Sequence, residues 1–254
     1  MHIRRAFTYL FHDPHWRRTL ALAMMINLVP VLFVGWGLFT TSSGPVPMLG
    51  GSAPYSLWSV AAGLTGIPLN GFLLRITRNV VNGVDVPLPE WTDVGDLLRD
   101  GVKLWAVFML WNLPETLVRY ASDAFAIPAL LIDVIGLVVL FVQPAAEARL
   151  AITKSLRAGL DVVAAFRTVR RNLGDYLRLL LVVIGAVFVA FPVSAGLVLL
   201  VRPALGALLD FSSVHTFVVV IITVWLMVFG PYLLFVSYHL AGQAFARAHP
   251  ELTS

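Results

Sequence analysis

Charged residues are scarce in this chain of 254 residues, where Asp, Glu, Lys and Arg together make up only 13%. Soluble domains average about 25% charged and about 45–50% apolar residues, whereas 59% of this chain is hydrophobic. So few charges cannot cover a water-exposed surface of this size, which argues against a soluble domain and against a disordered chain. We therefore predict a protein whose main solvent is lipid.

Cysteine is absent, which excludes a disulfide scaffold and any CxxC redox or zinc motif. The sequence also lacks a P-loop, an HExxH pair, a GxSxG elbow and a strand-linked GxGxxG. His12, Asp13 and His15 are zinc-ligand types, but Pro14 breaks their spacing and no fourth ligand follows. A turn capped by Asp13 is the favoured interpretation. We predict no catalytic residue, no cofactor and no metal, and expect the protein not to be an enzyme.

Long apolar runs predict an all-α, polytopic membrane helix bundle, because about 20 apolar residues in a helix cross the hydrocarbon core of a bilayer. We predict six transmembrane spans within one integral membrane domain that covers the whole chain. The spans are residues 19–39, 55–74, 104–118, 124–146, 179–201 and 214–245. The last of these runs is long enough to tilt or to pass beyond the interface.

The positions of the basic residues test this alternation independently. All 18 Lys and Arg residues except Arg119 and Arg202 fall on one side of the six predicted spans. Loops on the cytoplasmic side carry the excess of Lys and Arg, so both termini are expected in the cytoplasm. The net charge of +4 then requires no nucleic-acid partner, and it suits the anionic lipid head groups of the inner leaflet.

The first predicted cytoplasmic segment covers residues 75–103. Pro89 helps to break the helix that leaves the second span, and Thr92 or Asp93 is placed to cap a new short helix. Trp91 fits an anchor at the membrane interface. We expect contacts with lipid or with a partner protein at Arg75, Arg78, Pro89 and Trp91.

The second predicted cytoplasmic segment covers residues 147–178. At 100° per residue, its apolar residues share one side of a helix, and Arg167 and Arg171 lie on the opposite side. This pattern predicts an amphipathic helix that lies on the inner leaflet, with the two arginines near lipid head groups, or packs under the bundle. The alternative is a helix packed against the protein's own loops. The apolar residues are Val162, Val163, Phe166, Val169 and Leu173.

Charged residues inside a span are costly and are candidates for a function. Glu115 and Arg119 are four residues apart, which places them on one helix face and allows an ion pair that closes the end of a short span. Asp133 has no partner nearby in the sequence. It is a candidate for a proton or cation site, and the alternative is a structural hydrogen bond to Asn112, Asn70 or a backbone carbonyl.

Residues of the first cytoplasmic segment also resemble a known family. The stretch GFLLRITRN at 71–79 leads into Leu88-Pro89-Glu90-Trp91, and Asp93, Asp96 and Asp100-Gly101-Val102-Lys103 follow. With Arg171 to Tyr176 and Gly242 to Phe245, this pattern resembles the prokaryotic membrane family called domain of unknown function 4013. The resemblance implies a multi-pass protein of a bacterial or archaeal inner membrane, and it implies no known reaction.

Two functions are therefore expected to compete. The first is a scaffold, an accessory subunit or a membrane-organising protein that binds membrane proteins or further copies of itself. Small residues at helix-contact spacing support it, because they let helices approach closely. The second is a small secondary transporter or a proton-coupled permease in which Asp133 and Glu115 line the pathway.

Overall fold

The computed structural model describes residues 1–40, 63–85, 88–125, 128–205 and 214–252. Within these ranges the chain is helical and contains no β-strand, which confirms the predicted all-α class. We number the helices of the described residues in chain order. They are α1 (Ile3–Thr8), α2 (Trp16–Thr40), α3 (Ile67–Val81), α4 (Val94–Phe125), α5 (Ala129–Thr153), α6 (Leu156–Gly159), α7 (Val162–Arg171), α8 (Leu173–Leu205), α9 (Val214–Val228) and α10 (Gly230–Ala248), with 3-10 turns at Tyr9–His12 and Pro250–Leu252.

Local sequence explains several of the helix ends. Pro68 lies in the first turn of α3, where a backbone N–H would have no helical acceptor and its absence costs nothing. The Asp161 carboxylate accepts a hydrogen bond from the Ala164 amide at 2.9 Å and caps α7. Helix α5 ends at Lys154, whose φ of 54° turns the chain out of the helix.

Helix α3 lies at the centre of the packed part of the molecule, in contact with α4, α5 and α10. Phe72 of α3 and Phe235 of α10 are fully buried in one apolar cluster, with ring centroids 5.4 Å apart. A second cluster joins α4, α5, α8 and α10, and Leu150 and Leu240 are among its most buried members.

Helix α4 corrects the predicted division of residues 92–118. A short capped helix and a separate third span at 104–118 were expected, but α4 runs without interruption from Val94 to Phe125. Pro114 lies inside it, four residues after Leu110, and does not end it. Residues 124 and 125 therefore belong to α4, and the next helix starts at Ala129. The predicted start of the fourth span at residue 124 is wrong.

The predicted sixth span is also corrected. A single helix over residues 214–245 was expected, whereas α9 and α10 meet at a bend of 50° beside Phe229. Pro231 in the first turn of α10 has no N–H to continue the hydrogen-bond ladder of α9, and Gly230 precedes it. The Asn27 side chain donates a hydrogen bond to the Leu226 carbonyl at 2.9 Å and so satisfies an acceptor beside the bend.

Two helices of the described residues are long and apolar enough to cross a membrane, at Ala129–Thr153 and Leu173–Leu200. The bent pair Val220–Val228 and Gly230–Ala248 adds a third if it forms one span. This is fewer than the six predicted spans. The predicted span 104–118 lies in a helix whose apolar run is broken by polar residues such as Glu115. Residues 55–62 of the predicted span 55–74 lie outside the described residues.

Candidate functional site

Polar side chains join α3, α4 and α5 at one end of the packed helices. Arg78 Nη2 donates to Asp100 Oδ2 at 3.1 Å, and Arg78 Nε donates to the Ala151 carbonyl at 2.8 Å. Lys103 Nζ donates to the Lys154 carbonyl at 2.7 Å. The Asp100 side chain is only 6% exposed. Because a buried carboxylate is costly without a partner, the Arg78 guanidinium is what makes this burial tolerable.

A second cluster surrounds Asp175, near the start of α8. Arg178 lies 3.3 Å and Arg247 3.2 Å from its carboxylate oxygens, although Asp175 itself is 4% exposed. Asn172 donates both to Asp175 at 3.0 Å and to the Ala244 carbonyl at 3.2 Å, which ties the start of α8 to α10. We call the groups around Asp100 and Asp175 together the polar layer.

Trp91 and Arg75 bind the loop before α4 to α3. The Trp91 ring stacks on Phe72 with centroids 4.2 Å apart and an interplanar angle of 14°. Arg75 donates to the backbone carbonyls of Thr92 at 3.0 Å and Asp93 at 3.2 Å. Pro89 in the same loop is half-buried. A contact of these residues with lipid or with a partner stays a prediction. Only the atoms of these side chains that are not engaged in the contacts above can make it.

Helix α7 packs partly against the protein itself, and its placement on the inner leaflet stays a prediction. Ala165 and Val169 are buried on the side that faces α5, so one part of the helix packs against the protein itself. Val163 is 66% and Phe166 45% exposed, and Arg167 is exposed beside them. Apolar side chains next to an exposed guanidinium suit the boundary between head groups and acyl chains.

Arg171, at the end of α7, contacts the C-terminal turn. Its Nη1 lies 3.3 Å from His249 Nδ1 and 4.0 Å from a carboxylate oxygen of Glu251. His249 Nδ1 lies 2.9 Å from that same Glu251 oxygen. The hydrogen bond with His249 and the nearby Arg171 charge hold the pKa of the Glu251 carboxyl below its ordinary value.

The three ionisable residues predicted inside spans do not come together as one site. Arg119 Nη2 lies 2.7 Å from Glu115 Oε1, which is the ion pair that the four-residue spacing predicted. The Glu115 carboxylate packs against Gly136 of α5. Asp133 is exposed on α5, and within the described residues no hydrogen bond or ion pair of its side chain is found. Asn112 bonds Gln143 and the Phe108 carbonyl instead.

The His12 cluster has the geometry of a turn. The Asp13 carboxylate accepts a hydrogen bond from the His15 amide at 2.6 Å, and His12 Nδ1 lies 2.8 Å from the Thr8 carbonyl. No group of three or more metal-ligating side chains occurs among the residues that the structure describes.

A cavity of about 320 Å³ lies where α3, α5, α8 and α10 meet. Its lining is mostly apolar, and Glu147 and Gln143 of α5 contribute polar atoms to it, with Gln143 Nε2 donating to Glu147 Oε1 at 2.7 Å. Glu147 was expected at the start of a cytoplasmic segment, and its place in this cavity was not predicted from the sequence. The available signal was the four-residue spacing of Gln143 and Glu147 at the end of an apolar run.

The motif residues that carried the family resemblance occupy the polar layer and the loop beside it. Arg78, Asp100 and Asp175 form its ion pairs. The sequence model of the family described as "Protein of unknown function (DUF4013)" matches residues 54–201. The chain belongs to this family. Comparison with curated proteins and with solved structures finds no match. Membership of DUF4013 confirms the resemblance, and its description assigns no activity that the chain could inherit.

Proposed function

We propose that this DUF4013 protein is a non-enzymatic, six-span protein of a bacterial or archaeal inner membrane that acts as a scaffold, an accessory subunit or a membrane-organising protein. One observation carries the proposal. Only 17% of the most apolar 18 residues of α8, within Leu173–Leu200, are buried, while the polar layer ties the helix ends together. Such a helix needs acyl chains or the helix of another membrane protein to cover it.

The absence of cysteine from the chain makes disulfide cross-linking of α8 a direct test. Phe188→Cys places a thiol on the uncovered side, where Phe188 is 74% exposed, and Ala190→Cys is the matched control at a position that is 6% exposed. In native membranes we expect cross-linked products for Phe188→Cys and none for Ala190→Cys. The thiol introduced by Phe188→Cys would form a disulfide bond with the same thiol of a second copy or with a cysteine of a partner protein.

The particle mass is the second measurement. Extraction into polymer-bounded native discs is expected to give particles with more protein than one 27.8 kDa chain. A single chain per disc, combined with no cross-linked product from Phe188→Cys, would contradict the proposal.

The proposed orientation has its own test. Pro45→Cys lies in the predicted external loop and Ser155→Cys in the predicted cytoplasmic segment. In intact cells a membrane-impermeant thiol reagent is expected to label Pro45→Cys alone. Labelling of Ser155→Cys in place of Pro45→Cys would reverse the topology.

A small secondary transporter or proton-coupled permease is the second candidate. The 50° bend between α9 and α10, with Asn27 bonded to the Leu226 carbonyl beside it, supports this alternative, because transporters use broken helices near their binding sites. In this hypothesis Asp133 and Glu115 line the pathway. Asp133→Asn would then abolish proton-coupled flux in vesicles, and unchanged flux would remove Asp133 from the pathway.

A further inference from the structure

The cavity between α3, α5, α8 and α10 opens sideways. Phe108 and Leu140 line it and are 44% and 55% exposed, so part of its lining continues into the outer surface of α4 and α5. Its volume of about 320 Å³ is at the lower end of the range of small-molecule sites, about 300–1,000 Å³. A molecule that first dissolves among acyl chains could therefore reach the cavity from the side.

Glu147 is the acidic residue of this cavity, and its hydrogen-bond partners are neutral. Gln143 donates to it at 2.7 Å, and the Tyr238 hydroxyl lies within hydrogen-bonding reach of the same carboxyl. The basic side chains of the same region are engaged elsewhere, since Arg78 binds Asp100 and Arg149 donates to the Ala158 carbonyl. Among the described residues, no cation pairs with Glu147. A carboxylate in such surroundings is stabilised by any cation that enters.

A second observation also indicates a ligand. Tyr176 is 1% exposed and lines the cavity, and among the described residues its hydroxyl has no hydrogen-bond partner. Buried polar groups are nearly always bonded, so a residue that lines the cavity while its own hydroxyl has no partner is a candidate contact for a ligand. The rings of Tyr176, Tyr238, Phe108 and Phe141 also line the cavity, and aromatic rings attract ammonium groups.

We propose that this cavity binds a lipophilic organic cation, with its ammonium group beside Glu147 and among the aromatic rings. Leu179, Leu234 and their apolar neighbours would cover the hydrocarbon part of the ligand. The proposal does not depend on the scaffold function, because the cavity lies within one chain. The ammonium group could belong to a free amphiphile or to the head group of a lipid, and the two sources share the same chemistry at Glu147.

Benzyltrimethylammonium is a suitable probe because it is permanently charged, aromatic and small. Binding would be measured by calorimetry with the full chain in lipid discs, against empty discs. Neopentylbenzene, in which carbon replaces the charged nitrogen, is the neutral control of the same shape. We expect heat of binding for the cation and at least tenfold weaker binding for the neutral compound. Equal binding of the two, or no binding of the cation above the empty-disc background, would overturn the proposal.

Variants separate the charge from the fold. Glu147→Gln keeps the shape of the side chain and is expected to weaken cation binding at least tenfold, with little effect on neopentylbenzene. Glu90→Gln is the matched control, because it makes the same substitution at an exposed position outside the cavity. Unchanged affinity in Glu147→Gln, or an equal loss in Glu90→Gln, would contradict the role of Glu147.

Tyr176→Phe provides an independent variant in case Glu147→Gln does not fold. It removes only the unpaired hydroxyl, and we expect about a threefold weaker affinity for the cation. Tyr120→Phe, at a position that is 52% exposed, is its control and is expected to bind as the wild type does. Equal affinities in Tyr176→Phe and the wild type would exclude a contact between the hydroxyl and the ligand. This result would contradict the proposed binding mode at Tyr176.

The lipid of the disc distinguishes the two sources of the ammonium group. Digalactosyldiacylglycerol is uncharged and carries no ammonium group, and phosphatidylcholine has no net charge but carries one ammonium group on every molecule, so the two discs do not differ in surface charge. Weaker probe binding in phosphatidylcholine discs would support a lipid head group as the occupant, because lipid and probe then compete. Equal binding in both would support a free amphiphile. Loss of the Glu147→Gln effect in both discs would overturn either form.

Discussion

Two helix contacts of this protein differ in the way they close. Helices α3 and α4 meet at Gly71 and Gly101, where an added Cβ would collide with the backbone carbonyls of Leu97 and Ile67 respectively. Helices α5 and α8 are both apolar enough to cross a membrane, yet they touch at few points and a cavity lies between them. Apolar composition therefore does not by itself bring two helices together.

The two contacts differ in how closely the helix backbones approach and in what holds them together. In the α3–α4 contact, glycine lets two backbones approach and Arg78 fixes the helices with a bond to Asp100 at 3.1 Å. In the α5–α8 contact, leucine and valine side chains line the cavity between the helices, and in a lipid solvent no hydrophobic force closes the gap. The first contact is expected to tolerate almost no change, and the second is expected to tolerate added volume.

The largest effect is expected from Gly101→Ala. The new methyl group would meet the Ile67 carbonyl, and overpacking of this kind costs about 3 kcal/mol. Gly95→Ala in the same helix is the control, because a Cβ there has no atom within 4 Å, and its effect should stay within about 0.5 kcal/mol. Denaturation in mixed micelles measures both. A wild-type stability of Gly101→Ala would mean that α3 and α4 can separate freely.

The next effect concerns the ion pair of the same contact. Asp100→Asn leaves Arg78 without its carboxylate, and we expect a loss of about 2 kcal/mol, less than for a fully buried pair because Arg78 is 18% exposed. Asp96→Asn is the matched control. Asp96 and Arg99 form a pair at 3.1 Å, but both side chains are about 60% exposed, so its loss should cost under about 0.5 kcal/mol. Equal losses in the two variants would show that burial does not strengthen the Arg78–Asp100 pair.

The sequence was sufficient for part of this contrast. The apolar runs predicted the all-α class, and the four-residue spacing predicted the Glu115–Arg119 pair. The motif around Arg78 is sufficient to identify the family without any knowledge of the tertiary contacts. Each of these features is local, so it can be read from neighbouring positions in the chain.

The cavity could not be predicted in the same way. Glu147, Tyr176 and Tyr238 lie on three different helices, and only the tertiary packing brings them to one cavity. Helix α7 shows a related limit. Its periodicity predicts that Val163 and Val169 share a face, but not that α5 covers Val169 and leaves Val163 exposed.

A cavity-filling variant sharpens the contrast from the other side. Val183 of α8 lines the cavity, so the larger side chain introduced by Val183→Phe has space to place its phenyl ring there. We expect a change in the free energy of unfolding below about 1 kcal/mol, together with loss of benzyltrimethylammonium binding. A penalty as large as that of Gly101→Ala would show that α5 and α8 pack as tightly as α3 and α4, and would contradict the distinction between the two contacts.

The smallest effect is expected at the C-terminal turn, outside both contacts. His249 and Arg171 lower the pKa of Glu251 in the folded chain. At pH values above the ordinary pKa of a Glu side chain, this carboxylate therefore stabilises the turn. The stabilisation is lost as the pH falls through the lowered pKa, because the protonated carboxyl no longer attracts Arg171. Hydrogen exchange of residues 246–251, corrected for the intrinsic rate, should therefore accelerate on acidification. Glu251→Gln has no charge to lose and should exchange fast at every pH. The same acid response in Glu251→Gln and in the wild type would assign the transition to another group.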